Sequence, residues 1–171
     1  MRIKLLIVGL CFCFACNNPK PIVTQPSRDD FYEKCRKLVL SENQPGQEYF
    51  FSRKIKGVDE ISITYLGNVI TTKKDTLKIL NSVNFSGQLE YGKHGNGNVF
   101  IYDSQSKRIG FYYVGAAWAV PSKIEEGSLI FNYANESCNQ STSISLKDSI
   151  PKQIFINCTE KGGDLYSFTN E

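Results

Sequence analysis

Residues 5–15 are an unbroken run of apolar and small side chains, from Leu5 to Ala15. Eleven residues are too few to cross a bilayer, which takes about 20 in a helix. Arg2 and Lys4 precede the run, and the polar residues Asn17, Asn18, Pro19 and Lys20 follow it. A basic start, a brief greasy core and a polar exit make an export signal, which is removed and takes no part in the fold. What has to fold is therefore what lies beyond it.

Ala15 directly before Cys16 resembles the lipobox of bacterial lipoproteins. With Cys13 and Phe14 in the preceding positions, the box is similar to the relaxed, aromatic-tolerant ones of Bacteroidota. The resemblance is confined to the N-terminal signal. It implies that Cys16 becomes the mature N-terminus, carries acyl chains and holds the protein to a membrane. Residues 1–15 are then a lipoprotein signal peptide, and residues 16–26 a lipidated cysteine with a tether. Pro19, Pro21 and Pro26 favour extended backbone in that tether and keep a helix from starting early. Residues 27–171 form one domain. The serine- and aspartate-rich export signal of some surface lipoproteins is absent after Cys16. The expected location is the cell envelope, on the inner or outer membrane, facing the periplasm.

Cleavage before Cys16 removes 15 of the 171 residues, a size that leaves one domain with a real core. It also removes Arg2 and Lys4, so the formal charge falls from +3 to +1. A near-neutral domain lacks the electrostatic footprint of a nucleic-acid binder. Of the six cysteines, only Cys35, Cys138 and Cys158 lie outside the signal and anchor. An exported domain meets an oxidising space, and the expected disulfide joins Cys138 to Cys158. Cys35 falls on the apolar face of a helix and reads as a buried thiol.

The domain reads as α+β, an antiparallel β-sheet meander packed with two short α-helices. Ser27 and Asp30 make a capping-box pair, after which Phe31, Cys35, Leu38 and Val39 share one face of a helix running to about Leu40. Residues 48–55 and 58–66 follow as strands, with Ile61, Ile63 and Tyr65 alternating with polar neighbours. Gly67-Asn68 reads as a turn. Thr72, with Asp75, is expected to cap a second helix that turns Leu77, Leu80 and Val83 inward. Residues 88–91 and 98–102 read as strands around a glycine-rich hairpin loop, 92–97. Further strands are expected at 109–114, 128–133, 142–146 and 153–157.

Catalytic constellations are missing. His94 is the one histidine, it falls in the glycine-rich loop, and no nucleophile elbow accompanies it. No C-x-x-C lies outside the signal, no helical H-x-x-x-H exists, and the 92–97 loop joins strands instead of feeding a helix N-terminus. Neither a metal nor a cofactor is expected. The acidic pairs Asp29-Asp30, Asp59-Glu60 and Glu125-Glu126 are sequence neighbours, which on a strand point to opposite faces and are poor candidates for acting across one cleft, and Glu125-Glu126 reads as a solvated loop pair before Gly127. The suggestive feature is aromatic: Phe111-Tyr112-Tyr113, then Trp118 among small residues. Strand geometry sends Tyr112 to one face and its two neighbours to the other. Tyr112 and Trp118 are the candidate binding surface.

The sequence is thus that of a membrane-anchored, periplasm-facing, non-enzymatic binding or interaction domain with a protein or glycan partner. The alternatives are an immunity or inhibitor lipoprotein acting against an envelope enzyme or toxin, and a glycan-binding accessory module. The anchor is directly testable: Cys16→Ser is expected to move the protein from the membrane to the soluble fraction, and continued sedimentation with membranes would refute lipidation at Cys16.

Overall fold

The computed structural model describes residues 27–53, 58–88 and 92–171; the signal run, Cys16 and the proline-rich tether lie outside them. Helix α1 spans Arg28–Glu42. The Asp30 N–H donates to Ser27 Oγ at 3.1 Å, so Ser27 caps the first turn, and Asn43 ends the helix in the left-handed conformation. The inward stripe is rotated from the expected one. Tyr32, Cys35, Arg36, Val39 and Leu40 are buried, while Leu38 is half exposed. Two amphipathic side chains cause the rotation. Tyr32 and Arg36 bury their apolar bodies and send their polar ends to acidic partners.

Ten strands follow: β1 (Glu48–Ser52), β2 (Val58–Ile70), β3 (Thr76–Gln88), β4 (Gly92–Tyr102), β5 (Arg108–Ala116), β6 (Lys123–Glu125), β7 (Ser128–Asn132), β8 (Ser141–Ser145), β9 (Gln153–Thr159) and β10 (Gly162–Asn170). The first five form an antiparallel meander. The chain then leaves through a 3-10 turn, Ala117–Ala119, builds a small sheet ordered β6-β7-β8, and returns. The large sheet is ordered β1-β2-β3-β4-β5-β10-β9. The domain is therefore mostly antiparallel β with one helix among the described residues, a correction to the two-helix α+β reading.

The expected second helix is β3. Thr71 to Asp75 turn the chain between β2 and β3: the Asp75 N–H donates to Thr71 Oγ1 at 3.0 Å, and Lys74 takes φ 68°. Thr and Asp suit a hairpin turn as well as a helix cap. Leu77 and Ile79 then face one side of the sheet and Leu80 the other, with β2 and β4 pairing on both edges. Nor does Gly67-Asn68 turn the chain. β2 continues through a bulge between Tyr65 and Gly67, which shifts the alternation so that Ile61, Ile63 and Tyr65 face the helix and Val69 the opposite core.

The sheet separates two cores. Below α1, Val39 and Leu40 pack with Ile61, Ile63, Leu80 and Phe100. On the other face, Ile79, Val99, Ile101 and Val114 meet Leu129, Phe131 and Leu146 around the small sheet. Two polar clusters clamp α1 down. Asp59, fully buried at the start of β2, accepts from Tyr32 Oη at 2.5 Å, from Arg28 Nε at 2.8 Å and from Arg53. Glu33 accepts from Arg36, Tyr102 and Arg108 at 3.0–3.2 Å, and Arg36 stacks 4.1 Å over the Phe100 ring. Burial by itself would raise the Asp59 carboxyl. The hydrogen bonds from Tyr32, Arg28 and Arg53 outweigh it and hold the group below the usual range. Burial and the same contact push the Tyr32 hydroxyl up to about 12.

Cys138, in the loop after β7, is joined to Cys158 in β9, 20 residues further on, while Cys35 is free and buried. The link ties the small sheet to the far side of the large one.

Two outcomes follow for stability. A carboxyl held below its unfolded value stabilises the fold above about pH 4, and the effect is lost as the pH falls through its folded value. Because Arg28 is half exposed, Asp59→Asn should cost about 2–3 kcal/mol at pH 7, below the range for wholly buried pairs, and should lose less on acidification than the wild type. Urea titrations at neutral and acid pH check both. Replacing Cys138 and Cys158 by alanine should lower the unfolding free energy by about 3 kcal/mol, as closure of a loop of this length predicts; equal midpoints for the two proteins would refute that.

Candidate binding surface

β10 and β5 are paired only where Phe168, Thr169 and Asn170 meet Tyr112, Phe111 and Gly110. Beyond Tyr112 the two strands part. β5 continues against β4, with Tyr113 opposite Asn98, and β10 continues against β9, with Leu165 opposite Phe155. Aromatic side chains flank this divergence: Tyr113 on β5, Trp118 on the 3-10 turn, Tyr133 just after β7 and Tyr166 on β10.

The glycines of β4 set the position of Trp118. A Cβ on Gly95 would lie 2.7 Å from Ala117 Cβ, and one on Gly97 would lie 2.7 Å from Ala116 O and 2.9 Å from Val120. Only bare backbone lets the 3-10 turn settle this close to β4. Gly115, at φ 79°, swings the chain out of β5 into that turn. Trp118 then stands edge-on to Tyr133, with centroids 5.0 Å apart and planes at 80°. Tyr133 is anchored from behind, its hydroxyl donating to Ala119 O at 3.0 Å. Burial raises the Tyr133 hydroxyl pKa, and nearby Tyr166 and Asp164 push the same way. Tyr166 donates to Asp164 at 3.4 Å, and Tyr113 donates to Asn96 Oδ1 at 3.0 Å.

Trp118 and Tyr113 are each 52% exposed. Their rings offer flat apolar area, and Asn96 and Asp164 add hydrogen-bonding groups beside them. Trp118 stands on the small-sheet side of β5 and Tyr113 on the helix side, and at the seam between them each ring can stack on a ring ligand and read polar groups on its rim.

The other half of the expected pair, Tyr112, does not belong to this surface. It is fully buried, its ring 4.9 Å from Phe168 and its hydroxyl donating to Pro151 O at 2.5 Å. Alternation along β5 turns Tyr112 and Val114 into the core and leaves Tyr113 outward. His94 is exposed but sits within β4, opposite Ser86, because pairing with β3 runs on to Gln88 and Gly92. Glu126 and Gly127, both at positive φ, form the two-residue turn between β6 and β7. Asp29 and Asp30 occupy the first turn of α1. Asp59 is saturated by three donors, which leaves it no role as a proton donor.

Among the described residues, no group of three or more His, Cys, Asp or Glu is arranged to hold a metal ion, and no helix is long and apolar enough to cross a membrane. A hollow of about 420 Å³ beside Glu33, Lys37, Arg108 and Glu171 belongs to the clamp on α1. Tyr133, Tyr166, Asn96 and Asp164 are missed by sequence reading. The alternation of Tyr166 and Phe168 after Gly162-Gly163 is the one local signal that β10 exists. No family model, no curated protein and no solved structure matches this chain.

Proposed function

We propose that this protein is a lipid-anchored, periplasm-facing binding domain without an enzymatic reaction, and that it holds a glycan on Trp118 and Tyr113. The observation that carries the reading is the pair of half-exposed rings, each fixed from behind: Trp118 against the hydrogen-bonded Tyr133, and Tyr113 by its bond to Asn96. Rings held this way keep their apolar faces ready for a ligand and lose little freedom on binding. Sugar rings present C–H faces that stack on aromatic planes, with hydroxyls around the rim for neighbouring amides and carboxylates. An immunity or inhibitor lipoprotein would instead need a protein-sized patch. The tether sets the range, keeping the domain within reach of envelope polymers.

The test uses the mature protein against a panel of purified polysaccharides and peptidoglycan, read by affinity electrophoresis and calorimetry. Trp118→Ala and Tyr113→Ala are each expected to weaken binding about tenfold, with the melting temperature unchanged. Leu38→Ala, an equally exposed apolar residue on α1, serves as the control and should bind normally. If no glycan binds, or if both ring variants bind like the wild type, the reading is wrong.

A further inference from the structure

Helix α1, of 15 residues, is about 22 Å long and about 10 Å wide with its side chains. Seven strands at roughly 4.8 Å spacing make a sheet nearly three times that width. α1 lies over β2 and β3, and its side chains reach as far as Phe100 on β4 and Arg108 on β5. The same face of β5, β10 and β9 continues beyond it. Tyr112, Ile154, Ile156 and Phe168 turn into the opposite core, so Tyr113, Leu165 and Phe155 turn outward on this side. They are 52%, 60% and 48% exposed, and Leu165 sits opposite Phe155 in register.

Uncharged polar groups surround them. Gln153 Nε2 donates to Ser167 Oγ at 3.3 Å, and Asn157 is exposed two residues from Phe155. Among the described outward strand positions of β5, β10 and β9 the side chains are uncharged, Arg108 at the far end of β5 is paired with Glu33 and Glu171, and Glu160 and Lys161 are exposed in the β9–β10 turn.

Resting on the glycan reading above, we propose that this uncovered half-face extends the binding surface, and that its occupant is an uncharged, extended polysaccharide laid across β5, β10 and β9. Tyr113 lies on this face, while Trp118 and Tyr133 lie on the small-sheet side, so the platform meets the cluster around Trp118 only at the seam where β5 and β10 part. Uncharged side chains at the outward strand positions suit a neutral polymer better than an anionic one. Amide and hydroxyl groups alternating with apolar faces match a sugar chain, which alternates in the same way. Leu165 and Phe155 face each other across one strand spacing, about 5 Å, the width of one sugar ring, and Tyr113 stands across the seam from them. A second copy of this chain is a poorer occupant. Three partly exposed apolar side chains fall well short of the roughly 800 Å² per partner of a stable interface.

The experiment titrates the mature protein with neutral cello-, xylo- and manno-oligosaccharides from disaccharide to hexasaccharide, alongside polygalacturonate as the anionic probe. Affinity for the bound series should rise at least tenfold with length. Phe155→Ala and Leu165→Ala should abolish that rise, leave disaccharide binding intact and leave the melting temperature unchanged. Length-independent binding that neither variant alters would overturn the platform while sparing the site at Trp118 and Tyr113. Polygalacturonate binding as tightly as the neutral chains would overturn the uncharged ligand. Sedimentation showing a dimer that Phe155→Ala dissociates, with sugar binding unaffected, would assign the face to a second copy and overturn the proposal. Failure of every sugar to bind would remove the glycan reading together with it.

Discussion

One helix cannot roof seven strands. That mismatch of width organises the domain more than any single contact. The opposite face of the sheet has a cover of its own in β6, β7 and β8, which seal a core around Ile79, Val99, Ile101 and Phe131. The helix face is roofed only in part. Where the roof is present, strands carry Ile, Leu and Phe inward. Where it stops, the outward positions change to tyrosine, serine, glutamine and asparagine, with one cross-strand apolar pair, Leu165 and Phe155, among them. Buried and displayed surface thus lie side by side on a single sheet.

Keeping the roof in place is left to charge as much as to apolar packing. A helix of this length is barely stable alone, so its docking has to supply what propensity does not. Asp59 gathers two guanidinium groups and a phenol, and Glu33 gathers two guanidinium groups and another phenol. Each carboxylate is partnered on several sides, the condition under which a buried charge is tolerated. Directional bonds at the start and the middle of the helix also fix its rotation, which explains why Arg36 faces inward and Leu38 outward. On the far side, Gly95 and Gly97 do for the 3-10 turn what the clamps do for the helix: they set its distance from the sheet, and with it the place of the indole.

Much of this architecture was legible in the chain. The Ser27 cap, most of the strands and the Cys138–Cys158 link all have local signals, because capping, alternation and cysteine spacing act over a few residues or through simple elimination. The errors came where one local signal serves two structures. Thr72 with Asp75 suits a helix cap, Thr71 to Asp75 suits a five-residue hairpin turn equally, and only pairing with β2 and β4 decides between them. Glycines at 92–97 suggest a loop, yet they serve as a smooth strand against which a neighbouring turn packs. Alternation at Phe111-Tyr112-Tyr113 says that the faces differ but not which is inside. Phe168, more than fifty residues later, settles it by stacking on Tyr112. The aromatic cluster was hidden for the same reason, since its members come from four separate segments.

The seam between β5 and β10 has a consequence for folding. β1 to β5 are neighbours in sequence and can pair early, but joining β5 to β10 must close over residues 117–161, a far longer loop. Until it closes, β5 keeps a bare edge, and bare edges recruit wrong partners. A holdase acting on this chain has its work concentrated on that edge.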